Sequence, residues 1–177
     1  TATSVSVAYN DTATDFSGQS LTVAGDTAVL NVGTGVNEVV IQGLKAQISD
    51  FVTFGGNFGF KKTGTEIQAT GASAYAQLEA GNYKAGISGG QLGLVLTSDN
   101  KIALDTTGTF VFEGDTFANV TATGVTVEFN NTGNDYASTA LNLNIGGVAA
   151  TINAANGVET VAITGLKADL SGFATFG

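Results

Sequence analysis

The chain has 177 residues, 43% of them apolar, and its fifteen carboxylates against six lysines give a formal charge of −9. An acidic surface of this kind repels nucleic acid and anionic lipid, and the absence of histidine, cysteine and arginine removes Ser–His and Cys–His nucleophiles, the usual zinc ligands and bidentate phosphate clamps. No apolar run approaches the roughly 20 residues of a membrane helix, so no membrane span is expected.

Residues 1–10 lack the basic start and apolar stretch of a secretory signal, so any export signal is expected outside this sequence. Val5, Val7 and Tyr9 alternate with polar residues, the period of a half-buried strand. The polar cluster NDTATDF at 10–16 follows as a turn. GLKAQISDFVTFG at 43–55 leads into an aromatic run, Phe51, Phe54, Phe58 and Phe60. Its mixed spacing and interleaved glycines predict rings packed over bare backbone, in a core or at a junction between units, rather than an exposed strip for sugar stacking. Lys61 and Lys62 then read as a solvated strand end.

Ile67 and Ala69 alternate in one phase, and Ala72, Ala74, Ala76 and Leu78 in the other, so the phase slips across Thr70-Gly71. EAGN at 79–82 is a tight turn into Tyr83, Ala85 and Ile87. Ser88-Gly89-Gly90 interrupts before Leu92, Leu94 and Leu96; TSDNK at 97–101 turns into Ile102 and Leu104; Phe110 and Phe112, the EGD turn at 113–115, and Val125, Val127 and Phe129 complete the series. No helical stripe appears, and 25 glycines with no proline suit many strands and tight turns.

The chain also repeats itself. TATSVSVAYN at 1–10 returns as TATGVTVEFN at 121–130, and NDTATDF returns as NNTGNDY at 130–136, both offset by 120 residues. GLKAQISDFVTFG returns as GLKADLSGFATFG at 165–177, offset by 122, which places a two-residue insertion between the blocks, expected near 153–157. Residues 1–120 thus read as a first complete unit and 121–177 as the start of a second.

Two all-β architectures fit this pattern. One is an elongated repetitive architecture, either β-solenoid or roll-like or built of continuous antiparallel sheets; the other is a series of immunoglobulin-like β-sandwich repeats. The elongated form is favoured because no Pro-rich or Ser-rich linker separates the units and the alternation runs straight through Thr121. Ending within a second unit leaves an open strand edge, which calls for neighbours.

GLKAQISDFVTFGGNFGFKK, SGGQLGLVLTSDNKIAL and TATGVTVEFNNTGNDY together resemble the long repeats of giant bacterial surface proteins, adhesin-like chains that repeat a β-rich unit many times. The resemblance implies an exported, elongated, non-enzymatic protein, extracellular or at the cell surface, and assigns no catalytic residue. It does not extend to tandem GGxGxD calcium nonapeptides, which this sequence lacks.

Calcium is the one cofactor the residues themselves raise, because hard cations want several oxygen ligands. The candidates are the equivalent clusters Asn10, Asp11, Asp15 and Asn130, Asn131, Asp135, with Ser98-Asp99-Asn100 and Asp105 as a second site. The competing reading is that Asn and Asp bond their own turns; Asn131 in place of Asp11 removes a charge from a metal site yet leaves a turn intact. Glu113 and Asp115 would share a face on a strand, as in a glycosidase carboxylate pair, but in a turn they only solvate it. Asn10, Asn119 and Asn130 open Asn-x-Thr sequences, the glycan acceptors of eukaryotic secretion.

The expected function is a structural repeat segment of a large exported bacterial surface protein, a stalk, spacer or fibre component, and not an enzyme. A carbohydrate- or calcium-dependent binding module and a self-assembling filament subunit are the alternatives. Expected partners are neighbouring repeats or copies of the chain, or a cell-surface or matrix polysaccharide.

Overall fold

A computed structural model describes residues 1–48, 52–114, 118–170 and 174–176. Every element in them is a strand: β1 (Ser4–Tyr9), β2 (Gln19–Val23), β3 (Asp26–Leu30), β4 (Asn37–Ile48), β5 (Val52–Thr63), β6 (Glu66–Ala80), β7 (Tyr83–Leu96), β8 (Ile102–Gly114), β9 (Ala118–Asn130), β10 (Leu141–Ile145), β11 (Val148–Ile152), β12 (Glu159–Thr164), β13 (Lys167–Leu170) and β14 (Ala174–Phe176). Ten strands form one sheet in the order β1-β4-β5-β6-β7-β8-β9-β13-β14, with β12 also on β9, while β2–β3 and β10–β11 are separate hairpins. All pairings are antiparallel. The protein is therefore all-β, in the continuous antiparallel form; the parallel stacking of a solenoid is not found among the described residues. No helix there is long and apolar enough to cross a membrane.

The turns follow from residue chemistry. Gly64 and Gly81 have φ of 59° and 62° at the first position of two-residue loops, where a primed hairpin turn needs a positive φ. Ala24-Gly25 and Gly146-Gly147 are positive at both positions, the requirement of a type I′ turn. In the 97–101 loop, the Thr97 amide donates to the Lys101 carbonyl at 2.9 Å and Asn100 takes the positive φ.

Nearly every long strand of the main sheet slips register at the same level. The irregularities fall between Ile41 and Leu44, Gly55 and Asn57, Gly71 and Ala74, Ser88 and Gln91, and Gly108 and Phe110. Aligned in this way, the bulges form a line across the sheet, and a bulge bends its own strand and increases the local twist.

The β10–β11 hairpin packs over β5 to β8 and makes the core. The row beneath it runs Val40, Gly59, Thr70, Gly93 and Asp105 across five strands. Two of its five side chains are hydrogen atoms, so the hairpin can settle close to the backbone. Ile145 sits over Gly59 and Ile152 over Gly93. With Leu143, Val148, Val95, Ala103 and Val40 these isoleucines form the two buried clusters. The neighbouring row, Val39, Phe60, Ala69, Leu94 and Leu104, points to the opposite face.

The aromatic run therefore lies away from this core. Phe54 and Phe58 are half-buried, Phe60 is exposed, and Phe51 falls outside the described residues. Phe58 does lie over bare backbone, at Gly71, as its glycine-rich setting suggests. Bulky rings beneath the hairpin would hold it off the sheet, so the glycines and the rings take opposite faces.

The repeated sequence folds the same way twice. β1 pairs β4 with Ser4 opposite Gln42 and Tyr9 opposite Asn37, and β9 pairs β12 with Gly124 opposite Thr164 and Phe129 opposite Glu159. The β2–β3 hairpin corresponds to β10–β11 strand for strand, Gln19 to Leu141 and Leu30 to Ile152, an offset of 122. Phe16 and Tyr136, whose amides donate to Val32 and Ala154, are still offset by 120. The two-residue insertion thus lies between Tyr136 and Leu141, before the hairpin, and not near 153–157 as the sequence suggested; four residues there replace Ser17-Gly18.

The glycine paving sets a strict size limit. A β-carbon on Gly59 would stand 2.7 Å from Ile145 Cβ and 2.8 Å from Thr70 Oγ1, and one on Gly93 would stand 2.8 Å from Ile152 Cγ1. Gly59→Ala and Gly93→Ala should each lower stability by about 1–3 kcal/mol through overpacking, measured by chemical denaturation.

Candidate functional site

The calcium candidates sit in two superimposable turns after β1 and β9. Asn10 is buried, its side-chain amide donates to the carbonyls of Thr14 at 2.8 Å and Gly33 at 3.0 Å, and its Oδ1 accepts from the Thr12 amide at 3.0 Å and the Thr12 hydroxyl at 2.7 Å. Asn130 repeats this with Asn134, Ala154 and Thr132 at 2.8, 2.8 and 3.0 Å, and its Oδ1 also accepts from the Thr132 hydroxyl at 2.8 Å. Oδ1 of Asp15 accepts from the Ser17 amide at 2.8 Å, and Oδ1 of Asp135 from the Ala137 amide at 3.0 Å. These are Asx-type turns in which the side chain replaces a backbone partner. The asparagines pin the loop between the strand and its hairpin.

Asp11 and Asn131 differ in a way that tracks their surroundings. Asn131 caps β8: its amide donates to the Ile102 carbonyl at 3.0 Å and its Oδ1 accepts from the Ile102 amide at 2.6 Å. Among the described residues no strand lies beside β1 on the edge away from β4, and Asp11 Oδ2 instead accepts from the Tyr9 hydroxyl at 3.1 Å. The bond and the charge of Asp11 hold the Tyr9 phenol above its ordinary value.

The other candidates do not converge. Asp99 is in the exposed 97–101 loop, bonded to the Thr97 hydroxyl and paired with Lys101 at 3.0 Å. Asp105 is buried under the second hairpin, where Oδ2 accepts from the Asn153 amide at 2.9 Å. Glu113 is exposed at the end of β8, and Asp115 lies outside the described residues. Among the described residues no three acidic side chains meet as a metal cluster. The side-chain amides of Asn10 and Asn130 are committed to buried hydrogen bonds, which withdraws them as glycan acceptors; Asn119 is exposed.

Sequence reasoning passed over the arrangement that dominates the molecule, the seam between β10–β11 and β5 to β8. Its signal is visible: LNLNIGGVAATI and QSLTVAGDTAVL both alternate about a two-residue turn with glycine. The Gly147 amide donates to Asn144 Oδ1 at 3.0 Å to fix the second turn. On the face opposite the seam, Val7, Tyr9, Val39, Phe60 and Ile67 line a shallow apolar depression of 280 Å³. Compared with family models, curated proteins and solved structures, the chain matches none.

Asn130→Ala removes both donors and the acceptor from a buried site and should cost about 2–3 kcal/mol by chemical denaturation, since buried partners are left unpaired. Because Oδ1 of Asn10 and Asn130 and one oxygen each of Asp11, Asp15 and Asp135 are already engaged within their turns, excess calcium should leave the melting temperature unchanged. Asp15 is held below its ordinary 3.8 by the Ser17 hydroxyl and amide, and Asp99 below 3.8 mainly by the Thr97 hydroxyl, then Lys101. A depressed folded value means the contribution is complete above pH 3.8 and disappears as pH falls through the lower folded value. Carboxyl NMR titration should find both midpoints below 3.8, with Thr97→Ala moving Asp99 back toward it.

Proposed function

We propose that the chain is a structural segment of a longer exported surface protein, a stalk or spacer whose successive copies join as one sheet. The observation that carries this reading is the placement of the second copy. It starts at Thr121, inside β9, with β8 on one side of that strand and β12 and β13 on the other. Units joined by shared ladders cannot swivel about each other as units on a flexible linker do. Length would then grow in stiff, equal steps. The poverty of nucleophiles and metal ligands fits a mechanical role without catalysis, and the resemblance to adhesin-like repeats supports placement outside the cell, at its surface.

A second reading, a carbohydrate-binding module, draws on the apolar depression, where the exposed rings of Tyr9 and Phe60 could stack on sugar. It requires that Tyr9→Ala abolish retention on immobilised polysaccharide. The spacer reading is tested by small-angle scattering on this chain and on versions with one and two further units. The maximum dimension should rise by the same increment each time; a particle that stays compact as units are added would sink it.

A further inference from the structure

The two copies share a fold but not an environment. In the second copy, β9 has β8 along its other edge, with Ala103 opposite Asn130 and Gly108 opposite Val125. In the first copy, β1 pairs with β4, and among the described residues no strand lies along its other edge. The Asn10 amide belongs to the ladder with β4, donating to the Val36 carbonyl, so by alternation the amides of Val5, Val7 and Tyr9 point to that free edge. Their side chains are exposed, whereas those of Val125, Val127 and Phe129 are half-buried.

The hairpins differ in the same sense. Leu143, Ile145 and Ile152 are 5, 1 and 0% exposed, and their counterparts Leu21, Val23 and Leu30 are 53, 63 and 38% exposed. The first hairpin is nonetheless two-faced. Leu21, Val23, Ala28 and Leu30 share one side with Gln19 at its start and Asp26 beside the turn, while Ser20, Thr22 and Thr27 share the other with Val29, the Thr22 and Thr27 hydroxyls 3.0 Å apart. A lone two-stranded hairpin is marginal in water, so an apolar face of this kind calls for a cover.

We propose that β1 and β2–β3 together receive an upstream copy of the repeat unit. Its β8-type strand adds along the free edge of β1, and its β5–β8 face is roofed by β2–β3. The inference rests on the spacer reading only in requiring a further unit. Its template is the junction within this chain, where one copy's hairpin already covers the other copy's sheet. Asp11 stands where Asn131 caps β8, and its carboxylate can accept the amide of the arriving strand.

Two substitutions specify the upstream face. Ala24 replaces Gly146, whose α-carbon lies against the Val40 side chain, and Asp26 replaces the buried Val148. The upstream unit must therefore carry a smaller, hydrogen-bonding residue where this one has Val40. A second whole chain does not fit, because its β5–β8 face is already under its own β10–β11.

The test is a longer chain in which residues 1–120, carrying Val40→Ser, precede the full 177-residue sequence. Hydrogen exchange at Val5, Val7 and Tyr9 of the middle unit should slow by at least about tenfold as those amides join a ladder. Leu21→Asp should be nearly silent in the 177-residue chain, where Leu143→Asp should be destabilising, and should destabilise the longer chain to a similar extent. With Val40 retained, protection should persist at β1 and weaken at the hairpin. Unchanged exchange with a silent Leu21→Asp in both versions would overturn the proposal. So would dimerisation of the 177-residue chain that protects the same amides, since the occupant would then be a second copy. Scattering on the same samples separates the two readings. Protection without added length supports the docking and removes the stiff spacer, whereas added length without protection overturns the docking and leaves the spacer.

Discussion

Ile145 and Ile152 resting on Gly59 and Gly93 hold the two layers of the protein together. A sheet buries a face only against another element, and among the described residues the large buried apolar side chains gather at this contact. Each isoleucine removed from water contributes about 1.5–3 kcal/mol. The glycines make the approach possible, because a methyl at either position would occupy space the isoleucine needs. Thr70 shows how closely the layers meet: its hydroxyl, in the same row, is buried without a hydrogen-bond partner, a cost of about 1–3 kcal/mol that the seam must offset.

The duplication separates what a segment determines for itself from what its neighbours determine. The asparagine turns, the strand registers and the type I′ hairpins occur in both copies, whether or not anything lies over them. These are local effects, set by side chains bonding nearby backbone and by residues that accept positive φ. Burial is not local. Leu30 and Ile152 hold equivalent places in equivalent hairpins, and only the second has a sheet beneath it.

The same distinction explains what the amino-acid sequence made legible. Period-two alternation announced an all-β chain, and the slip at Thr70-Gly71 marks a real bulge between Gly71 and Ala74. The Asn10 and Asn130 clusters could be read as turns because their chemistry is confined to a few residues. The roofed face could not be read in this way. Alternation assigns residues to two faces without saying which is covered, and the covering hairpin comes from residues far along the chain. Glycines at 59 and 93 look like interruptions until Ile145 and Ile152 are above them. The phenylalanines invite a core reading because they are large, yet a close-lying second layer requires the small residues to face it.

The bulges and the roof are independent for the same reason. Gly43, at φ 58°, interrupts β4 against Thr3, and Gly165, at φ 60°, separates β12 from β13 against Thr123. The first bulge belongs to the copy whose hairpin is exposed and the second to the copy whose hairpin is buried, and the backbone takes the same conformation in each. The bulge is thus written into the unit and does not wait for packing. What packing adds is the second layer, and with it the resistance to flexing that a single sheet lacks. Each copy thus carries its own bulge, while the cover over the first copy's sheet comes from the hairpin of the second.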